Sequence, residues 1–460
     1  MSRTSFSGRL ATALAAASAL AVAACSDVPV QPDAAGPAPI SPALAKAPAE
    51  DDVVAGEVIV KLKDDAALDA VSSRHGLAKG RSGYGKSYEI LLTGRGNERA
   101  MAARLAADPD VEYAEPNYIR RVDAIDGRLW AFRNPGGLNM SFYNDPNGRT
   151  GSIGASYASV LDADEDNVEG YAAGGSDVVI GSIDTGVDPN HPEFTGRLIA
   201  GKDWYSNDSK PDDTPDEGHG THTTGTMAGT NVGVAGVAGA ASHVKVYVQR
   251  VCGPNGCPTS AIVNAIRAAA DYPNMVAMNL SLGGNSESAS EKSAISYAAS
   301  KGVLVIASAG NSGSGKVACP ACDPNAISVA ATTWKDELAA YSQKGSGLDL
   351  SAPGGYCYSN TTEEGCIFSS VVAGYQGGRT YTLGGSGNYA YMMGTSMAAP
   401  QVTGTAAIVA SKVGLRGAAL RSRLESTADD KGASGYDTKF GWGRINSYRA
   451  VTGGSLGAGL

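Results

Sequence analysis

Three polar side chains in this 460-residue chain stand among residues that do nothing to explain them. Asp184 closes the apolar run of VVIGSIDTGVD, His219 opens the small-residue stretch of EGHGTHTTGTMAG, and Ser396 lies in GTSMAAPQVTG. A serine hydroxyl is a weak nucleophile until a base can take its proton. His219 is such a base, and a buried carboxylate at Asp184 would hold the imidazole in one tautomer and stabilise its protonated form. The neighbours Gly394, Thr395, Ala398 and Ala399 are small enough for a substrate chain to come close. Pro400 has no N–H, so the carbonyl of Ser396 lacks its helical donor. A helix start at this point also favours developing negative charge. Acyl transfer needs oxyanion donors, and two are on offer: the N–H of Ser396 and the side-chain amide of Asn311 in SAGNSG.

The elements around these residues alternate. Residues 177–184, 243–251, 275–283, 302–310 and 326–332 read as strands, the third and fourth nearly continuous in apolar or small residues. Between them TSAIVNAIRAAADY reads as a helix capped by Thr259 or Ser260, and SESASEKSAISYAASKG as a helix ended by Gly302. The order predicts an α/β domain over 151–455, a mostly parallel sheet with helices on both faces and its site at the strand carboxyl ends. Residues 55–120 form a separate small α+β unit, strand, helix, strand, helix, strand, with the first helix closed by Gly76. Pro- and Ala-rich residues 25–54 read as a tether, and 121–150, with NPGG and NDPNG, as an irregular linker. Residues 1–24 carry Arg3 and Arg9 before an apolar stretch too short to span a membrane, which marks an export signal. VAACS around Cys25 is similar to a bacterial lipoprotein signal, with lipid attached at Cys25. Cleavage near Ala24 without lipid is the alternative.

DTGVD, HGTHTTGT, SAGNSG and GTSMAAP, in this order, resemble the motifs of the subtilisin-like serine peptidases, the subtilases. The likeness spans roughly 175–450 and includes the closing FGWGRINSYRAV. It implies a subtilisin-like fold and a secreted serine endopeptidase with Asp184, His219 and Ser396 as its triad and Asn311 as oxyanion donor. NLSLGG resembles the family's substrate-binding strand. Ser281, Leu282 and Gly283 would therefore pair with the substrate backbone, with Ser308, Ala309 and Gly310 as the opposite wall. The 55–120 unit resembles the family's inhibitory propeptide, a ferredoxin-like domain that blocks the cleft until self-cleavage within 118–150 removes it. Lipid at Cys25 would sit on the propeptide side, so that cut would also release the enzyme from the membrane. The loop after the His219 stretch, GTNVGVAGVAGA, is shorter than the one that holds calcium in the better-known bacterial members. Calcium would be structural here, and the chemistry requires no cofactor. Ser312 follows Asn311 and supplies no acid, which points to cleavage after neutral or apolar residues.

Composition agrees with an exported enzyme and excludes other classes. A net charge of −9 argues against a nucleic-acid surface. Seven cysteines suit an oxidising compartment. Apart from Cys25, their spacing suggests the local bridges Cys252–Cys257, Cys319–Cys322 and Cys357–Cys366. A zinc site would want a histidine at ligand spacing, and none falls there. Among the five histidines, His222 lies three residues after His219 without an HExxH pattern and reads as packed. His191 would fix the loop after Asp184, and His75 and His243 are structural. DADEDN at 162–167 alternates acids like a calcium loop but lacks the glycine and glutamate of an EF-hand, so it reads as a solvated helix start. Asp-Thr-Gly occurs once, which speaks against an aspartic protease, and no histidine follows the Gly453-Gly454-Ser455-Leu456-Gly457 pattern. The expected partners are polypeptide substrates and the chain's own propeptide, the working form a monomer, and membrane contact limited to lipid at Cys25. An inactive peptide-binding lipoprotein on the same fold is the competing reading. With His219 as base, activity should fall as it protonates, near the ordinary pKa of about 6.5.

Overall fold

The computed structural model describes residues 53–122, 139–140, 151–152 and 175–453, apart from 231, 233, 235, 240, 334–335, 358–364 and 384–386. The signal segment, Cys25, nearly all of the tether, most of the 121–150 linker and DADEDN lie outside the described residues.

The N-terminal unit runs β1 (Val53–Leu62), α1 (Leu68–His75), β2 (Ala78–Ser82), β3 (Glu89–Leu92), α2 (Glu98–Ala106) and β4 (Val111–Val122). Its antiparallel sheet has the order β4-β1-β3-β2. The extra strand β2, AKGRS, is exposed along its whole length, so no apolar alternation announces it. Strand alternation divides the burial. Val58, Val60 and Leu62 join Val71, Ala102 and Leu105 of the two helices in a small core. Ile59, Tyr88 and Ile90, on the other face, join the core of the larger domain.

That domain holds β5 (Val178–Asp184), β6 (Leu198–Asp203), α3 (His219–Ala228), β7 (Val244–Arg250), β8 (Cys257–Pro258), α4 (Thr259–Ala270), β9 (Met275–Leu280), β10 (Leu282–Gly283), α5 (Ala289–Ser300), β11 (Leu304–Ser308), β12 (Ala326–Thr332) and β13 (Leu350–Pro353). There follow β14 (Ile367–Val371), β15 (Thr380–Leu383), β16 (Gly387–Met392), α6 (Thr395–Val413), α7 (Gly417–Ser426) and α8 (Ser447–Thr452). Seven strands form one sheet, β13-β12-β11-β9-β5-β7-β6, and every pairing in it is parallel. Two apolar cores flank it. Val178 and Ile180 face one with Met227 and Val402, and Val179 and Ile183 face the other with Ile262 and Ile266.

Two strands of this sheet were not expected from the sequence, β6 and β13, and they are its two edges. Edge strands are short and need less apolar sequence: LIAGKD is mostly half-exposed, and LSAP is four residues long with a proline. The 275–283 run is also divided. The sheet strand stops at Leu280, and Leu282–Gly283 leaves to pair with β4.

Helix α4 corrects a cap. Its N-cap is Pro258, with no side-chain cap bond. The Thr259 hydroxyl donates to Glu291 instead, at 2.8 Å, and the N–H of Ser260 is met by Asn117 Oδ1 of the N-terminal unit at 2.9 Å. Glu115 does the same for α5, accepting from the N–H groups of Ala289 (2.6 Å) and Ser290 (2.9 Å) and from the Ser288 hydroxyl (2.7 Å). A carboxylate at a helix start meets both the orphan N–H groups and the positive dipole end.

Candidate active site

Asp184 is the last residue of β5, where the buried strand delivers a carboxylate to the carboxyl edge of the sheet. Its Oδ1 accepts from His219 Nδ1 at 2.7 Å and from the N–H of Thr185 at 2.7 Å, and Thr223 donates to Oδ2 at 3.2 Å. Its backbone carbonyl accepts from the N–H groups of Val251 (2.8 Å) and Cys252 (3.2 Å). With Nδ1 committed to Asp184, Nε2 is the nitrogen of His219 that can take a proton. His219 opens α3, and Gly220 lets that helix start lie against the strand end: a Cβ there would overlap the carbonyl of Gly186.

A second carboxylate, missed by sequence reasoning, holds this junction together. Asp213 is buried, and its Oδ1 accepts from the Thr185 hydroxyl (2.9 Å) and the N–H groups of Thr214 (3.0 Å) and Gly218 (3.2 Å). Its Oδ2 accepts from the N–H (2.9 Å) and hydroxyl (2.6 Å) of Thr221. Thr185 also accepts the N–H of Gly220 at 2.8 Å. Burial pushes the Asp213 carboxyl up to about 6 against the pull of these donors. In KPDDTPDEGHG it is one acid of several, and no pattern singles it out.

Ser396 is the second residue of α6, which packs directly on α3. The carbonyl that Pro400 deprives of a helical donor accepts from the Ser281 hydroxyl at 2.7 Å, and Ser396 Oγ donates to the Ser281 carbonyl at 3.4 Å. Asn279 donates to the same Ser281 hydroxyl at 3.0 Å. Asn311 Oδ1 accepts from both the N–H and the hydroxyl of Thr395 at 2.9 Å. A backbone N–H can only donate, so the amide oxygen must face Thr395 and the amide nitrogen the opposite side. Gly310 N–H donates in turn to the Thr395 hydroxyl at 3.1 Å.

The remaining residues singled out by sequence divide. Leu282 and Gly283 pair antiparallel with Val122 and Arg121 of β4, whose preceding residues Arg120 and Ile119 pair with Cys257 and Pro258 of β8. The 308–310 wall is held inside the domain: Ala309 N–H donates to Val329 and Gly310 carbonyl accepts from Gln343. Disulfides join Cys252 to Cys257, Cys319 to Cys322 and Cys357 to Cys366. His222 is fully buried, and burial together with neighbouring His219 drives its pKa down to about 3, so it stays neutral. His191 takes the N–H of Glu193 on Nδ1 and donates from Nε2 to the carbonyl of Asn388, fixing the loop after Asp184. Among the described residues no three His, Cys, Asp or Glu side chains are arranged to hold a metal ion. Asp203, close by, is paired with Arg250 at 3.0 Å.

An Asp–His pair thus stands at a strand end, and a serine begins the helix packed beside it. Residues 175–443, more than half of the chain, match the subtilase family, and residues 39–117 match the fervidolysin N-terminal prodomain. The chain belongs to the subtilase family. This subtilase is 35% identical over 405 residues to the thermophilic serine proteinase of Bacillus sp. (strain AK1), covering 87% of this chain and 88% of that one. It is 37% identical over 280 residues to thermitase of Thermoactinomyces vulgaris, covering 61% of this chain and 90% of that one. Its fold resembles the crystal structure of fervidolysin from Fervidobacterium pennivorans, with a TM-score of 0.68 at 24% identity over 88% of this chain and 62% of that one. This subtilase is therefore a serine endopeptidase with an N-terminal prodomain, β1 to β4.

Proposed function

We propose that the chain hydrolyses peptide bonds through an acyl-enzyme on Ser396. His219 Nε2 takes the proton of Ser396 Oγ as it attacks the substrate carbonyl, and Asp184 stabilises the imidazolium. The N–H of Ser396 and the amide nitrogen of Asn311 receive the oxyanion. His219 returns the proton to the leaving amine, and water, activated by the same base, frees the acyl group. The substrate chain lies as a strand along Ser281, Leu282 and Gly283, with Ser308, Ala309 and Gly310 forming the other wall, and is cut after neutral or apolar residues. None of these steps needs a cofactor, and calcium would act on stability alone.

The observation that carries this reading is the path of β4. The prodomain's last described residues, 119–122, run as an antiparallel strand between β8 and β10, towards the Ser281 carbonyl that Ser396 touches. A substrate would take the same course. The prodomain thus inhibits the enzyme in place of substrate until self-cleavage on the carboxyl side of Val122. The maturing protein is exported by residues 1–24, with lipid at Cys25 lost along with the prodomain, and the mature enzyme acts as a monomer outside the cytoplasm. Among the described residues no helix is long and apolar enough to cross a membrane.

The test is the intact mass of the exported protein beside its Ser396→Ala variant. The wild type should lose everything up to a point past Val122, and the variant should keep the prodomain. If both keep it, and the wild type also fails to cleave a peptide, the inactive-binder reading replaces this one.

A further inference from the structure

The wall of the cleft formed by β8 is only two residues long, Cys257–Pro258. A two-residue edge has little hold of its own. Pro258 also lacks an N–H, so the edge has one donor fewer than a regular strand. Yet β8 pairs in register with Arg120 and Ile119 of the strand occupying the cleft. Something must hold it one strand-width from that backbone.

The six-residue segment CGPNGC connects the two parts of the site. At its start the N–H of Cys252, with that of Val251, donates to the backbone carbonyl of Asp184. At its end Cys257 is the edge residue itself. Between them Gly253 and Gly256 exchange two backbone hydrogen bonds of 3.2 and 2.8 Å. The ring of Tyr205 lies where a Cβ on Gly253 would be, and its hydroxyl accepts the N–H of Asn255 at 3.3 Å. Pro254 and Asn255 are exposed, while Cys252 and Cys257 are buried beneath them and joined by a disulfide. The bridge therefore ties the substrate edge to the strand end that carries the catalytic acid.

We infer that the Cys252–Cys257 bridge is a positioning element for extended substrates, setting the spacing between the β8 edge and the Asp184 strand end. The inference rests on the proposed use of the cleft. The register states which part of a substrate it serves. Along β4, Val122 and Arg121 pair with β10, and the residues before them, Arg120 and Ile119, with β8. Residues close to the scissile bond meet β10, and only a longer acyl-side chain reaches β8. Preorganising that edge removes an ordering cost from binding, so its loss appears in KM.

The experiment compares a peptide carrying five residues on the acyl side with an N-acyl amino-acid ester, in wild type and Cys252→Ser/Cys257→Ser. Active enzyme is counted by titration with a serine-directed phosphonate. The preference in kcat/KM for the long substrate should fall by about tenfold, through KM. Cys357→Ser/Cys366→Ser, which removes a bridge elsewhere, should keep the wild-type preference. An unchanged preference in Cys252→Ser/Cys257→Ser, or an equal loss on both substrates, overturns the inference and leaves the peptidase reading standing. A wild type that hydrolyses neither substrate overturns both. If the serine pair does not accumulate, Tyr205→Leu loosens the same turn from outside and must shift the preference in the same direction, or the inference fails.

Discussion

Asp213 touches no reacting atom, yet it is the residue whose loss should be felt most widely. Its five donors come from Thr185, Thr214, Gly218 and Thr221, on both sides of the Asp184–His219 contact. In Asp213→Asn an NH2 must face one of these donor sets whichever way the amide turns. We expect a cost of about 1–3 kcal/mol in stability, together with a lower kcat at little-changed KM, measured by thermal melts and steady-state kinetics. The sign of the pH effect follows from the raised carboxyl. Its folded value of about 6 lies above the ordinary 3.8, so its contribution is complete below the latter and lost as pH rises through the former. The stability gap between wild type and Asp213→Asn should therefore narrow between pH 4 and pH 6. Thr395 offers a second test. Thr395→Val removes the hydroxyl that helps fix the Asn311 amide and should cost about tenfold in kcat, while Asn311→Leu should cost about 10²–10³. The four residues proposed for chemistry stood out in the sequence because each sits in a run whose neighbours make it conspicuous. Asp213 and Thr395 did not, since an acid among acids and a threonine among small residues gain their meaning from groups far away in sequence.

The helices α4 and α5 begin in the catalytic domain, but N–H groups at their starts are met from the prodomain, by Asn117 and Glu115, with Ser288 also capping α5. No local pattern could announce this, because the cap and the capped N–H are separated by 143 residues in one case and 174 in the other. The same distance explains the mistaken cap at Thr259 and Ser260, which the sequence alone made the natural choice. The two missed edge strands have different causes: β6 is mostly half-exposed and needs little apolar sequence, while β13, though buried, is only four residues long and ends in a proline. The central strands and long helices, buried on most sides, were plain in the sequence. At this scale the expected result is that Glu115→Ala, placed in the uncut Ser396→Ala chain, loses hydrogen-exchange protection at the amides of Ala289 and Ser290, by about tenfold or more. Burial raises the Glu115 carboxyl above its ordinary range. A raised value in the docked state means that this group holds the prodomain most firmly in acid and less firmly as pH rises through it.

Across the whole molecule, the prodomain has a small core of its own and a second apolar face shared with its neighbour. Ile59, Tyr88 and Ile90 share an apolar cluster with α4 and α5, and the Tyr88 hydroxyl donates to the Ser260 carbonyl at 2.8 Å. We expect Ser396→Ala to unfold in a single calorimetric transition, and Tyr88→Ala to cost about 3–5 kcal/mol and separate the two domains into two. The change of pattern near residue 120 suggested a domain boundary in the sequence; the shared face had no such mark, because a continuous apolar run such as Val58-Ile59-Val60 shows that both faces are covered without showing by what.

Strand β4 pairs with β1 of the prodomain along residues 111–118 and with β8 and β10 of the catalytic domain through its last four residues, 119–122. In the proposed reading, while the chain is whole the strand in the cleft is a tethered ligand, present at an effective concentration on the order of millimolar for a short linker. No dilute substrate competes with that. The proposed self-cleavage changes the law that governs it: occupancy then depends on how much prodomain surrounds each enzyme. Activation should accordingly be gradual in a crowded compartment and abrupt on release into a large volume, with dilution acting as the signal.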